Sequence, residues 1–169
     1  MKFFAKILVG FSLSFLIMIN LNEAGYASGK TTSVQNLQNE LAKIEKQSDF
    51  SIFKPQQVPE EWSVVIKPQS KQHTSLLLLT YVNNQLKDDY MMVGIQQRKA
   101  GNEERNEKGK NVDINGNKAT FQSWSDNKLG GVLSWIQEGT YIEIDSTKLN
   151  EKEMIILAKS MEKVNKKST

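Results

Sequence analysis

Two carboxylates on one predicted strand are the residues of this sequence best suited to acid–base chemistry. Glu143 and Asp145 alternate within Thr140–Ser146, so both side chains point to the same face of the strand, beside that of Tyr141. Glycosidases use a carboxyl pair of this kind, with one group as acid and the other as base or nucleophile. The solvent-facing side of a half-buried strand has the same pattern, and we favour that interpretation over a hydrolase.

The rest of the sequence offers few catalytic groups. It has no cysteine and a single histidine, His73, which excludes disulfides, an acylated lipoprotein cysteine and multi-histidine zinc sites. It contains no phosphate-binding glycine-rich loop, no nucleophile elbow and no His-Glu-x-x-His pair. Asp113-x-Asn115-Gly116 has part of a calcium-loop pattern, but Asn-Gly between apolar segments favours a hairpin. We expect a protein that is not an enzyme and that holds no metal or cofactor.

Aromatic and methionine side chains are the better candidates for a binding surface. The residues that we expect to be available to line a groove on the sheet are Trp62, Tyr81, Tyr90, Met92, Trp124, Trp135 and Tyr141. The alternative is that they form ordinary core, and we favour that interpretation because large aromatic side chains are usually well buried. If the helices cover one sheet face only, the other face is left as a cleft or patch.

The elements that must position these residues are predicted from apolar periodicity. Thr31–Ser48 predicts an amphipathic helix, which either packs on the sheet or binds a partner, and Pro55 and Pro59 then enforce an extended segment. The alternating pattern predicts strands at Trp62–Ile66, Ser75–Val82, Asp89–Gln97, Val112–Ile114, Lys118–Trp124, Gly131–Gln137 and Thr140–Ser146. Four consecutive leucines, Leu76–Leu79, indicate a strand that is covered on both faces.

The chain ends in a second predicted helix, which completes the fold class. Asn150 and Glu153 have the spacing of a capping box, and the helix is expected over Asn150–Val164. Strands between two helices indicate an α+β domain. We expect a curved antiparallel sheet of six to seven strands in a meander, flanked by an N-terminal and a C-terminal helix.

The first residues have the pattern of a secretory signal. Lys2 and Lys6 precede an apolar run over Ile7–Ile19, and small residues flank Tyr26, so we predict cleavage after Ala27. The alternative is a retained membrane anchor. The predicted division is therefore residues 1–27 as signal peptide, 28–49 as amphipathic helix and 50–169 as the α+β domain. The net charge of +3 comes from interleaved basic and acidic residues, which does not indicate nucleic-acid binding.

The region Phe53–Val164 resembles a bacterial family, domain of unknown function 4367. The matching segments are Phe53-Lys-Pro55 with Val58-Pro59-Glu60, Val112-Asp-Ile-Asn-Gly116, Leu133-Ser-Trp135 with Gly139-Thr-Tyr141, and Leu157-Ala158-Lys-Ser160-Met161. The resemblance implies an exported or membrane-anchored protein of a Gram-positive bacterium. Some members look like lipoprotein-carrier or sigma-factor-regulatory proteins, whose curved sheets cup a ligand or partner.

The pattern and the resemblance together give three functional hypotheses. The first is an exported, non-catalytic domain that engages a protein segment or an apolar ligand on a curved sheet at the cell envelope. The second is a regulatory or structural envelope module that contacts the membrane only through an uncleaved N-terminal segment. The third is a hydrolase that uses Glu143 or Asp145.

Overall fold

The computed structural model describes residues 30–68, 74–85, 90–101, 109–124 and 129–164. The elements are β1 (Lys30–Ser33), α1 (Val34–Glu45), β2 (Phe53–Pro55), β3 (Trp62–Pro68), β4 (Leu76–Asn83), β5 (Tyr90–Lys99), β6 (Lys110–Ile114), β7 (Asn117–Ser123), β8 (Leu129–Gln137), β9 (Thr140–Asn150), α2 (Glu151–Lys159) and β10 (Met161–Lys163). The predicted signal peptide and His73 lie outside the described residues.

The main element is an eight-stranded sheet in the order β1-β3-β4-β5-β9-β8-β7-β6. Every strand pair in it is antiparallel. Two meanders, β3-β4-β5 and β6-β7-β8-β9, meet where β5 pairs with β9. Register shifts at Tyr81/Val82 and Leu129/Gly131 mark bulges, which bend strands and contribute to the curvature of the sheet. The predicted α+β class, with strands β3 to β9 in an antiparallel sheet, is confirmed.

One face of the sheet carries the hydrophobic core, and we call it the covered face. Its side chains alternate along each strand and belong to one buried cluster, among them Leu77, Leu79, Val93, Ile95, Leu133, Ile142 and Ile144. Helix α1 adds Leu37 and Leu41 to the same cluster, and α2 adds Met154 and Leu157. Both helices therefore pack on the same side of the sheet.

The opposite face is not covered in the same way, and we call it the open face. Along β4 the burial alternates: Leu77 and Leu79 are fully buried, whereas Leu76 and Leu78 are partly exposed. The prediction that both faces of this strand are covered was therefore wrong. The reason lies in the tertiary structure, because α1 and α2 both contribute to the core on the side of Leu79.

The structure also shortens both predicted helices. Residues 30–33 form β1, which pairs with β3, so α1 begins only at Val34. Helix α2 begins with the predicted capping box of Asn150 and Glu153, which is confirmed, but it ends at Lys159. The next residues, Met161–Lys163, pair with β2 as a two-stranded ribbon. In both places backbone groups gain partners in a neighbouring strand, which outweighs local helix propensity.

A polar side chain inside the core fixes this ribbon to the sheet. Gln97 is fully buried on β5, and its amide makes two hydrogen bonds with the backbone of Phe53. The Phe53 N–H donates to Gln97 Oε1 over 2.8 Å, and Gln97 Nε2 donates to the Phe53 carbonyl over 2.9 Å. Thr140 adds a hydrogen bond from its hydroxyl to the carbonyl of Ser51 over 2.8 Å.

The predicted Asn-Gly hairpin is present between β6 and β7. Asn115 has φ of 51° and Gly116 has φ of 84°, the left-handed region at both central positions of a tight hairpin turn. The β8–β9 turn has the same kind of conformation, with φ of 48° at Glu138 and 75° at Gly139. Among the residues described, no helix is long and apolar enough to cross a membrane.

Candidate binding site on the open sheet face

The centre of the open face is polar and is formed where the two meanders meet. Gln96 of β5 lies opposite Glu143 of β9, and Glu143 lies opposite Ser134 of β8. One row away, Arg98 lies opposite Tyr141. Paired residues of an antiparallel sheet point to the same side, so these side chains form one cluster.

Tyr141 is the centre of the contacts within this cluster. Its hydroxyl donates a hydrogen bond of 2.6 Å to Glu143 Oε2. The Arg98 guanidinium carbon lies 4.4 Å from the centre of the Tyr141 ring, which is the geometry of a cation–π contact. A cation, a ring and a carboxylate are thus linked across β5 and β9, so that Glu143 is held in a fixed position.

The electrostatics of the cluster favour proton-bound forms of two groups. Burial, the hydrogen bond to Glu143 and the charge of Glu143 raise the pKa of Tyr141 to about 12, against smaller opposing effects of Ser134 and Arg98. Burial raises the pKa of Asp145, and the charge of Glu143 raises it further. Both effects are those of a partly desolvated environment that already holds negative charge, so the cluster favours an additional cation.

Gly94 makes space for the Asp145 carboxyl group. The two residues are paired across β5 and β9. A Cβ built on Gly94 would approach Asp145 Oδ1 to 2.3 Å, which is too close for any side chain without movement of the carboxyl group. The glycine therefore lets Asp145 lie over the β5 backbone.

Apolar side chains flank the polar cluster on both sides. Leu76 and Leu78 of β4 and Val132 of β8 are partly exposed, and Ile136 of β8 is 38% exposed. Strands β4 and β8 are separated by β5 and β9, so the two flanks lie about 14 Å apart at the usual strand spacing. The open face is therefore apolar, then polar, then apolar across its width.

The aromatic residues that the sequence suggested for a groove lie in different parts of the structure, some in the core and some at the surface. Trp62, Tyr81 and Trp135 are buried in the core, and the rings of Trp62 and Tyr81 are 6.2 Å apart. Met92 packs against the same core from a partly buried position. The three buried aromatic side chains are therefore unavailable to line a groove on the open face, whereas Met92 is partly exposed.

Two of the suggested aromatic residues remain accessible. Tyr141 belongs to the open-face cluster, and Trp124 is 49% exposed at the end of β7. The side chain of Tyr90 lies outside the described residues. Among the six suggested residues whose side chains are described, Tyr141 is the one that belongs to the open-face cluster, so the structure does not bring these six together.

Arg98, Gln96 and Ser134 are site residues that the sequence did not single out. They come from strands far apart in the chain, and their meeting depends on β5 pairing with β9. The only sequence pattern that pointed to this site was the alternation of Glu143 and Asp145 with isoleucines, and that pattern concerns β9 alone. The register between β5 and β9 is set by the tertiary structure and cannot be read from a single sequence.

The described residues contain no group of three or more His, Cys, Asp or Glu side chains arranged to hold a metal ion. The open-face cluster instead offers two carboxyl groups, an aromatic ring, a guanidinium group and flanking aliphatic side chains. Such a set binds through charge, hydrogen bonds and apolar contact.

The fold and site together describe an α+β domain with one sheet face closed by helices and the other open. The chain matches the family described as domain of unknown function (DUF4367) over residues 52–161. This match spans more than half of the chain, and the protein belongs to that family. Comparisons with curated proteins and with solved structures found no match.

Proposed function

We propose that this domain is a non-catalytic binding module that receives an extended protein segment on the open face of its sheet. The observation that carries the proposal is the pair Glu143 and Asp145, set between two apolar flanks on a face that α1 and α2 do not cover. The carboxyl pair attracts a basic side chain, and the aliphatic flanks accept apolar side chains on either side of it.

A protein segment suits this surface better than a purely apolar ligand. An apolar molecule across the face would remove water from Glu143 and Asp145 without supplying a donor, which is costly for a carboxylate. A segment with a basic residue between apolar residues supplies the donor and the apolar contact together. Mixed surfaces of this kind are typical of interfaces between proteins that also exist apart.

The test uses two fluorescent decapeptides with the purified chain. One peptide has leucine, arginine and leucine at alternate positions separated by serines, so that all three side chains face the sheet, and the other has glutamate in place of the arginine. We expect the leucine–arginine peptide to bind at least tenfold more tightly in fluorescence anisotropy, and laurate to displace it weakly. Equal binding of both peptides would contradict the charge argument, and tighter binding of laurate would favour the apolar ligand.

A charge-matched control separates the site from the general charge of the protein. The double variant Glu143→Gln/Asp145→Asn is expected to bind the leucine–arginine peptide at least tenfold more weakly. Glu60→Gln/Glu162→Gln changes the net charge equally at two exposed positions and is expected to bind like the unaltered chain. If both double variants lose affinity to the same extent, the open face is not the binding site.

The place of action that we propose is the bacterial cell envelope, in an exported protein. The support is the N-terminal pattern of Lys2, Lys6 and the apolar run over Ile7–Ile19. Mass spectrometry of the culture medium and the membrane fraction tests it. A form that begins at Ser28 in the medium supports secretion, whereas a full-length form in the membrane fraction supports an anchored envelope module.

The hydrolase hypothesis has one observation in its favour, the raised pKa of Asp145 beside Glu143. A carboxyl group that retains its proton is suited to act as an acid. We expect no turnover of a panel of para-nitrophenyl glycosides. Turnover that is abolished by Asp145→Asn, with the fold retained in circular dichroism, would establish the hydrolase instead.

A further inference from the structure

A cavity of about 630 Å³ lies on the covered side of the molecule, away from the open-face cluster. It is formed by the end of α1, the segment 48–51, the end of β5, the β8–β9 turn and the end of β10. Its charged lining residues are Glu45, Asp49, Lys99, Glu138 and Lys163. This volume is in the range of sites that bind small molecules.

Four of these five charged residues are paired with one another. Lys99 Nζ lies 3.6 Å from Asp49 Oδ2, and Lys163 Nζ lies 2.7 Å from Glu138 Oε2. Both pairs are well exposed to solvent. The charges of the two pairs cancel, so the fifth residue, Glu45, gives the lining a net charge of −1.

Glu45 differs from the paired residues in being almost completely buried. It is 7% exposed, and its Oε2 atom has no hydrogen-bond partner in the described part of the chain. A buried carboxylate oxygen without a donor is unfavourable, and a ligand that brings a donor relieves that cost. The charge of Glu45 already reaches the cavity, because it adds to the effect of Glu138 in raising the pKa of Lys163.

We infer that this cavity binds a small organic amine, with its ammonium group directed to Glu45. One carboxylate without further ligands suits a monovalent organic cation, since divalent cations need several oxygen ligands. Phe50, which is 7% exposed, also lines the cavity and offers part of its ring to the carbon chain of the amine. This inference uses none of the open-face residues and is independent of the function proposed for them.

The experiment measures calorimetric binding of n-pentylamine and cadaverine to the full chain, with n-pentanol as the neutral analogue. Both amines are expected to bind and n-pentanol is not. Glu45→Gln is expected to weaken amine binding by about tenfold or more, the loss typical of one charge-assisted hydrogen bond. Glu40→Gln on the same helix is the control and is expected to keep the affinity within twofold.

A second variant keeps the inference testable if Glu45→Gln folds poorly. Lys163→Gln removes the lysine that competes for Glu45, so it is expected to tighten amine binding several-fold. Three results would overturn the inference: no saturable binding of either amine, equal affinity of the Glu45→Gln chain, or a Lys163→Gln chain that binds no more tightly and unfolds at a lower temperature. The last result would mean that Lys163 serves as the structural partner of Glu45.

Discussion

Neighbouring residues of the same strand differ in burial according to the face of the sheet on which they lie. Leu79 is fully buried with the helices over it, whereas Leu78 is partly exposed on the other face. Gln97 is fully buried and holds the β2–β10 ribbon, whereas the adjacent Gln96 lies partly exposed beside the open-face cluster. The two residues of each pair are of the same type, and they differ in whether other elements of the fold pack over them.

The covered face contributes the packing that stabilises the fold, and the open face is the one on which we propose binding. On the covered face, polar groups such as Gln97 and Ser146 have hydrogen-bond partners in the backbone. On the open face, partial burial raises the pKa of Asp145, and the nearby charge of Glu143 raises it further. Charge repulsion of this kind lowers stability, and a binding role would account for its presence.

The largest effect is expected from truncating the adjacent leucines of β4. Leu79→Ala should lower the free energy of unfolding by about 3 kcal/mol, because it removes buried methylene groups and leaves a cavity. Leu78→Ala should cost about 1 kcal/mol or less, since its side chain is partly solvated. Urea unfolding of both variants measures the difference. Equal losses would show that the open face is covered as completely as the other.

A somewhat smaller difference is expected for the adjacent glutamines of β5. Gln97→Leu should lower the free energy of unfolding by about 2 kcal/mol, because the N–H and carbonyl of Phe53 lose their partners. Gln96→Leu should change it by no more than about 0.5 kcal/mol. Hydrogen exchange of the Phe53 amide should be faster in Gln97→Leu alone. Unchanged exchange there would mean that the ribbon does not depend on Gln97.

The smallest effect concerns Asp145 and depends on pH. Because its pKa is raised in the folded chain above the ordinary 3.8, the folded state binds the proton more tightly than the unfolded state. The contribution of Asp145 to the stability of the unaltered chain therefore falls as pH rises from 3.8 through the folded pKa and stays lower above it.

Asp145→Asn removes this loss. It should be more stable than the unaltered chain at pH 7 by about 0.5 kcal/mol, a value reduced for solvent screening of a partly exposed group. The difference should vanish below the ordinary pKa. Urea unfolding between acidic and neutral pH measures it, with Glu162→Gln as an exposed control. A variant less stable at pH 7 would show that the Asp145 charge is stabilising in the folded chain.

The strand pattern was predictable because alternation is a local property. The strands from Trp62 to Asn150 were located to within a few residues, apart from the end of β9, and the Asn115-Gly116 hairpin and the Asn150 capping box were identified from their residues. The prediction for Leu76–Leu79 was wrong for a related reason. Composition shows how apolar a strand is, but it does not show which elements pack on each face.

The candidate site was predictable only in part. Glu143, Asp145 and Tyr141 share one strand, so their common face followed from alternation. Arg98, Gly94 and Ser134 reach them through pairing of β5 and β8 with β9, and nothing in the sequence of one chain gives that register. Trp62 and Tyr81 were suggested for a groove because aromatic type alone does not distinguish core from surface.

By itself the sequence determined the fold class, the turns, the caps and the absence of cysteine-based chemistry, because these depend on residues close together in the chain. The tertiary structure decided which face of the sheet is covered, that β5 lies beside β9, and that Glu45 lines a cavity with a carboxylate oxygen that has no partner among the described residues. Those outcomes depend on contacts between residues tens of positions apart, whose free energies arise only when the whole chain packs.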